Sequence, residues 1–185
     1  MEHRKIVKFL EIKGLIYIIL SIIEIIFIII MNFAQFDIDT EPIPLYDFIY
    51  SNDIIPLSGT FLWLFLIISM GCFLILGVFL NRKVIKEDIE SQQLAKLMIV
   101  IGMVILLAGL VKMNFLVLLG KTKLTTISDT IRFQTALYDF DITPLFPAVF
   151  WIFFISINCY ILITALIVTA LGIKWTLLQE EAEKK

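Results

Sequence analysis

Four long stretches of apolar residues, separated by short polar segments, dominate the chain. They span residues 14–33, 57–80, 97–119 and 145–173. Each reaches or exceeds the roughly 20 residues that a helix needs to cross the hydrocarbon core of a bilayer. Helices are expected because lipid offers no partner to a free backbone amide, and the residue alternation of a membrane β-barrel is absent from the sequence. The fourth stretch is longer than necessary, so its helix is expected to tilt or to extend beyond the membrane.

The first stretch is interpreted as a retained span and not as a cleaved signal peptide. Its apolar length exceeds the roughly 7–15 residues of a signal-peptide core, and no small-residue cleavage motif follows it. The pattern therefore predicts an all-α fold, a polytopic membrane protein built as a bundle of four transmembrane helices. Residues 1–185 are expected to form a single membrane domain.

Composition supports a membrane protein and argues against several kinds of site. Of the 185 residues, 60% are hydrophobic and the mean hydropathy is +0.98, against about 45–50% apolar residues in a soluble domain. The net charge of −2 gives no reason to expect nucleic-acid binding. With one histidine, His3, and two cysteines, no metal site or cofactor is expected. Cys72 and Cys159 lie inside apolar stretches and are interpreted as packing residues.

Basic residues predict the orientation of the spans. The two ends of the chain and the loop between the second and third spans carry eleven lysines and arginines, whereas the third loop, residues 120–144, carries three. The first loop, residues 34–56, has five acids and no basic residue. Because cytoplasmic loops are enriched in lysine and arginine, both termini are expected in the cytoplasm and the protein in the cell membrane.

Two halves of the chain share a short series of motifs in the same order. Leu-Tyr-Asp-Phe at 45–48 recurs at 137–140, and Asp-Ile-x-Pro-Leu at 53–57 recurs at 141–145. Each pair precedes an inward-running span, which favours a duplication of two tandem helical hairpins, a parallel internal repeat. Chance similarity in a biased composition is the alternative. The predicted repeat units are residues 1–82 and 83–185.

The repeated motifs are interpreted as elbows at the outer membrane surface. Aspartate and proline at these places suit the first turn of the following helix, which explains most of the pattern by structure alone. A functional interpretation is that the two elbows form one acidic and aromatic surface for a partner. Its candidate residues are Tyr46, Asp47, Phe48, Asp53, Tyr138, Asp139, Phe140 and Asp141.

Two ionisable residues lie within the apolar stretches. Glu24 falls near the middle of the first span, where a charged group is costly unless it is paired, protonated or facing a wet cavity. Lys112 falls in the outer half of the third span, about six residues or roughly 9 Å outward of Glu24. Extension of the Lys112 ammonium group to the outer headgroups is the favoured interpretation. An ion pair between Lys112 and Glu24 is the alternative.

Small and amide-bearing residues indicate where helices pack together. Asn158 lies in the middle of the fourth span, and it and its small or polar neighbours are interpreted as the seam of the bundle, with the lining of a substrate path as the alternative. The other residues of this predicted seam are Ser156, Cys159, Thr164, Gly71, Gly77, Gly102 and Gly109.

The sequence carries no recognisable catalytic motif, and enzymatic activity is not expected. The first functional hypothesis is a scaffold or accessory subunit that binds other membrane subunits, or copies of itself, within the lipid bilayer. The second is a small oligomeric transporter or channel in which Glu24 is the coupling or selectivity group, with Lys112 and Asn158 nearby.

Overall fold

A computed structural model describes most of the chain, and it is predominantly helical. The described residues are 3–32, 35–38, 41–44, 59–86, 91–121, 123–125, 130–135, 142–143 and 147–183.

Four long helices correspond to the four apolar stretches. They are α1 (His3–Asn32), α2 (Gly59–Lys86), α3 (Ser91–Gly120) and α4 (Pro147–Glu183). All four are long and apolar enough to cross a membrane. The prediction of four spanning helices is therefore confirmed at the level of length and composition.

The helices extend beyond the apolar stretches that predicted them. α1 begins at His3, eleven residues before the first stretch, and α2 continues to Lys86. α4 has 37 residues, which corresponds to about 55 Å and exceeds the roughly 30 Å of a hydrocarbon core. The additional turns at these ends contain charged residues, which a helix carries without cost where water hydrates it.

Short antiparallel strands occupy parts of the two longer loops, and the sequence did not predict them. β1 (Gln35–Ile38) pairs with β2 (Glu41–Pro44) as a hairpin, and β1 also pairs with β5 (Ile142–Thr143). The strand order β2-β1-β5 joins the first loop to the third. A second hairpin pairs β3 (Lys123–Thr125) with β4 (Thr130–Arg132).

The prolines of β2 lie at positions compatible with an edge strand. Pro42 is opposite Asp37 and Pro44 is opposite Gln35, so the two prolines share the same side of the alternating hydrogen-bond pattern. A strand accepts proline where the backbone nitrogen points away from the neighbouring strand, and β2 has one unpaired side because it is an edge strand. The missing amide hydrogens therefore cost the hairpin no hydrogen bond.

The residues group into two compact units. The first contains residues 1–22, 71–110 and 158–185, and the second contains residues 23–70 and 111–157. Each unit includes segments from both predicted repeat halves, so this grouping does not bear on the duplication, which stays a prediction.

In the first unit, helices pack through an apolar cluster and through glycines. The buried cluster joins α1, α3 and α4 and consists of Ile6, Leu10, Leu94, Met98 and Val168. α1 and α2 approach closely where Gly14 meets Gly77, and α3 meets α4 where Gly102 lies against Thr169. Absence of a side chain at these glycines lets the helix backbones come together, as is typical of membrane helices.

Aromatic contacts dominate the packing of the second unit. Phe27 of α1 lies against Phe153 of α4, with ring centroids 4.6 Å apart. Phe65 of α2 stacks on Phe115 of α3 at 5.0 Å. These contacts connect the helices in pairs by dispersion and ring electrostatics.

The outward faces of the helices are apolar within the four apolar stretches. Many large aliphatic and aromatic side chains are substantially exposed, among them Ile19, Ile68, Leu107 and Leu166. Contiguous exposed apolar surface on this scale marks contact with a membrane or with other proteins. Together with the helix lengths, it indicates a helical membrane protein.

Candidate functional site: a buried ion pair

Glu24 and Lys112 form an ion pair between α1 and α3 in the second unit. Nζ of Lys112 lies 2.5 Å from Oε1 of Glu24 and donates a hydrogen bond to it. Both side chains are 0% exposed. The two residues reach each other because lysine and glutamate are long and because α1 and α3 present them toward one another.

This geometry corrects the favoured interpretation of Lys112. Extension of its ammonium group to the outer headgroups would have left the end of the side chain accessible, whereas the side chain is completely buried. The Glu24 carboxylate provides a nearer partner than the membrane surface, and it balances the charge of Lys112 within the bundle. The ion pair that was the alternative is what the structure contains.

One oxygen of the Glu24 carboxylate is not used by the pair. Within the described part of the chain, Oε2 is buried and has no hydrogen-bond partner. A buried carboxylate oxygen without a partner is costly, since it gives up hydration and receives nothing in return. Oε2 of Glu24 is therefore the atom of the ion pair that can still accept a hydrogen bond from another donor.

Asn158 joins α4 to α3 in the first unit. Its Nδ2 donates a hydrogen bond of 3.0 Å to the backbone carbonyl of Gly109, and the residue is 0% exposed. The carbonyl of Gly109 is reachable because glycine has no side chain to cover it. Asn158 Oδ1 is buried and has no hydrogen-bond partner among the residues described. The role of Asn158 at a helix–helix seam thus agrees with its contacts.

The predicted seam is correct for some residues and wrong for others. Gly77, Gly102 and Gly109 each lie against a neighbouring helix, as expected. Gly71 does not, since a side-chain carbon built at Gly71 would meet no atom of the described residues within 4 Å. Ser156 is exposed and also lies off the seam. Residue type alone does not fix which side of a helix faces its neighbours.

The cysteines are free, and they differ in position. Cys72 is exposed on α2, and Cys159 is half-buried on α4. The interpretation of Cys72 as an interior packing residue is therefore wrong, because its helix turns it outward. Cys159 lies next to the buried Asn158, where a small side chain permits close packing.

Tyr17 and Thr164 form a second buried polar contact, between α1 and α4. Their hydroxyl oxygens lie 2.7 Å apart. The Thr164 hydroxyl oxygen also lies 2.9 Å from the backbone carbonyl oxygen of Tyr160 and 3.0 Å from that of Ile161, both on its own helix. Because a hydroxyl has one hydrogen to give, both kinds of contact are satisfied together when Thr164 donates to a carbonyl of its own helix and Tyr17 donates to Thr164.

Lys13 lies one turn before Tyr17 and also contacts α4. Its Nζ donates a hydrogen bond of 3.0 Å to the hydroxyl of Tyr160. The ammonium group also lies 5.0 Å from the centroid of the Tyr160 ring and 5.5 Å from that of Phe9. Aromatic faces stabilise a cation at such distances, so Lys13 is held between α1 and α4.

Sequence reasoning missed the contacts of Tyr17 and Lys13, although a signal was present. Lys13, Tyr17, Ser21 and Glu24 follow one another on α1 at intervals of four, four and three residues. Residues at that spacing share one face of a helix. Polar residues at helical spacing inside an apolar run indicate a face that meets other helices, because the opposite face meets lipid.

The predicted elbows lie outside the described residues. They are the segments that contain Tyr46, Asp47, Phe48 and Asp53 in the first loop and Tyr138, Asp139, Phe140 and Asp141 in the third. In the part of the chain that is described, no group of three or more metal-ligating side chains occurs.

No protein-family model, curated protein or solved structure matches this chain. The four apolar helices and the buried ion pair define the class, a helical membrane protein with charged groups enclosed between its helices.

Proposed function

We propose that this chain is a non-enzymatic scaffold or accessory subunit of a complex in the cell membrane. It binds other membrane subunits, or further copies of itself, through the outward faces of its helices. Both termini lie in the cytoplasm. The observation that carries the proposal is the complete enclosure of Glu24 and Lys112, each 0% exposed and bound to the other.

Enclosed charges favour a structural function for the polar residues. A transport path requires polar groups beside space that a solute can enter, whereas Lys112 and Glu24 Oε1 bind each other inside a helix contact. Tyr17 and Asn158 are likewise engaged with neighbouring helices. Polar contacts of this kind hold membrane helices together and fix which faces meet.

The outward face of α1 is suited to binding another helix. Six aliphatic residues between 44% and 52% exposed follow one another at alternating intervals of three and four residues: Ile12, Leu15, Ile19, Ile22, Ile26 and Ile29. This is the spacing of a helix–helix seam, and nothing polar interrupts it. A stripe of this kind can pack against a neighbouring helix as readily as against lipid.

The orientation follows from charge. The basic residues concentrate at the two chain ends and in the loop between α2 and α3, which favours the cytoplasm for these segments. The duplicated elbows, at 45–57 and 137–145, then face outward as a surface for an extracytoplasmic partner. The duplication itself is supported by the order of the repeated motifs in the sequence.

A small oligomeric transporter or channel is the second candidate, and one observation favours it. Oε2 of Glu24 is buried without a hydrogen-bond partner among the described residues. A proton or a small cation would satisfy this oxygen. Intramembrane carboxylates with such capacity occur in proton relays and ion paths.

One experiment separates the two candidates. The protein is purified from its native membrane with a gentle detergent, the co-purifying proteins and the oligomeric state are measured, and the isolated chain is reconstituted in liposomes. Proton and potassium fluxes are then compared for the wild type and for Glu24→Gln, with Glu11→Gln as the control for loss of a carboxylate elsewhere on α1. The scaffold predicts stable partners or a defined homo-oligomer and no flux above empty liposomes. Flux that is lost in Glu24→Gln and kept in Glu11→Gln would overturn it.

A further inference from the structure

A groove lies between the amino-terminal end of α1 and the carboxyl-terminal end of α4, within the first unit. It has a volume of about 140 Å³. Ile6 contributes from α1, and Leu171, Lys174, Trp175 and Leu178 contribute from α4. Four of these five side chains are apolar or aromatic, and one carries a positive charge.

The floor of the groove rests on packed apolar residues. Ile6 is 3% exposed and belongs to the buried cluster that also contains Leu10 and Val168. Leu171 and Trp175 pack against the same cluster. The groove therefore belongs to the folded bundle, and its shape does not depend on a loop.

One positively charged side chain, that of Lys174, lines the groove. Three more basic residues, Arg4, Lys5 and Lys8, lie near Ile6 in sequence on the first two turns of α1, and there is no acidic residue on α1 between His3 and Glu11. The acids of α4 begin at Glu180, two residues after the groove residue Leu178. Among the five residues that line the groove itself, the charged one is Lys174.

The groove lies where α4 leaves its apolar stretch. That stretch ends at Ile173, directly before Lys174 and Trp175. Tryptophan and lysine are enriched at the level of the lipid headgroups, where an indole ring spans the boundary and an ammonium group meets phosphate. A ligand in the groove would therefore lie partly among acyl chains and partly among headgroups.

We propose that this groove binds one anionic phospholipid from the leaflet on the side of the termini. The phosphate group lies against Lys174 and the basic turns of α1, and the upper part of an acyl chain lies along Ile6, Leu171 and Leu178. An anionic phospholipid fits because it combines a negatively charged headgroup, which suits Lys174, with an apolar chain, which suits the other four residues that line the groove. The assignment needs the helices to be embedded in a bilayer, but it does not depend on whether the chain is a scaffold or a transporter.

Native mass spectrometry of the full-length protein in detergent tests this proposal. The protein is incubated with equal amounts of phosphatidylglycerol and phosphatidylcholine, and the ratio of the two lipid adducts is measured. The wild type is expected to retain phosphatidylglycerol preferentially. Lys174→Gln is expected to lower that preference about five-fold, the effect of one lysine near an anionic lipid surface. Lys96→Gln is the matched control, because Lys96 is an exposed lysine on α3 in the same unit, and it should leave the ratio unchanged.

Three results would overturn the assignment. The first is an equal affinity of the wild type for the two lipids. The second is an equal loss in Lys174→Gln and Lys96→Gln, which would mean that general surface charge and not the groove selects the lipid. The third is displacement of phosphatidylglycerol by an excess of inorganic phosphate, which would indicate a site for free phosphate. An unchanged elution volume on size-exclusion chromatography checks that Lys174→Gln is folded, and Lys8→Gln provides a second variant on the facing helix.

Discussion

A side-chain carbon at Gly77 would lie 2.9 Å from the backbone carbonyl oxygen of Gly14, closer than such atoms come in real structures. The approach is reciprocal, since a side-chain carbon at Gly14 would lie 3.0 Å from the carbonyl oxygen of Gly77. The absence of side chains at both positions therefore sets the distance between α1 and α2.

Gly77→Ala is expected to destabilise the bundle by about 1–3 kcal/mol, because the added methyl group must push two backbones apart. The measurement is unfolding in mixed micelles by increasing SDS. Gly71→Ala is the control, since Gly71 lies on the same helix and, in the part of the chain that the structure describes, no atom comes within 4 Å of an added carbon. It should be neutral, or stabilising by up to about 1 kcal/mol through helix propensity. Equal losses in both variants would contradict the close approach of α1 and α2.

Removing one partner of the buried ion pair is expected to lower the free energy of unfolding more than removing both charges together. Glu24→Gln leaves the Lys112 ammonium group without its carboxylate, and Lys112→Met leaves the carboxylate without its cation. Each change is expected to lower the free energy of unfolding by about 3–5 kcal/mol. The double variant removes both charges and should lose clearly less than the sum. A double-mutant cycle from the same SDS titration measures the coupling. Additive effects within about 0.5 kcal/mol would show that the two side chains do not interact.

The hydrogen bond between Tyr17 and Thr164 predicts that two conservative substitutions, Tyr17→Phe and Thr164→Val, lower stability by different amounts. Tyr17→Phe removes a donor and leaves the Thr164 hydroxyl bonded to its own backbone, so we expect a loss of about 0.6–1.7 kcal/mol. Thr164→Val keeps the shape but leaves the buried Tyr17 hydroxyl with a donor and no acceptor, which is costlier. Thermal unfolding in detergent compares the two variants. A larger loss in Tyr17→Phe than in Thr164→Val would reverse the assignment of the donor.

The pairing of β1 with β5 predicts that the first and third loops are exposed on one side of the membrane. Single cysteines are introduced at Gln35, Arg132 and Lys8 in a background in which Cys72 and Cys159 are replaced by alanine, and each is labelled with a membrane-impermeant maleimide. Gln35→Cys and Arg132→Cys should react from outside intact cells, and Lys8→Cys only after permeabilisation. Labelling of Gln35→Cys on the same side as Lys8→Cys would refute four spans in the proposed orientation.

The number and place of the long helices could be predicted from the sequence because lipid imposes a minimum length on an apolar helix. The ends of the helices could not be predicted in the same way. α1 and α4 extend well past their apolar stretches, where water is the solvent and local propensities decide how far a helix continues. The small β-sheet was missed because β5 has only two residues and depends on β1, which is distant in sequence.

The sequence indicated the ion pair as one of two interpretations of Lys112, but it could not decide between them. Residue spacing placed Glu24 and Lys112 at compatible depths, so both the pair and the extended lysine were consistent with the pattern. The decision depends on how α3 is rotated about its own axis, and that rotation follows from packing of many residues at once. The same reason explains why Gly71 was predicted to lie in the seam and Cys72 to be a packing residue, while α2 turns Cys72 outward.

Pro42 and Pro44 have a consequence for how another strand can pair with the three-stranded sheet. β2 is the edge of the three-stranded sheet, and at two alternate positions its outward backbone nitrogens carry no hydrogen. A strand that pairs with this edge could donate hydrogen bonds to the carbonyl oxygens of β2, but it would receive none from the nitrogens of the two prolines. Pairing of a further strand along this edge is therefore disfavoured at these two positions.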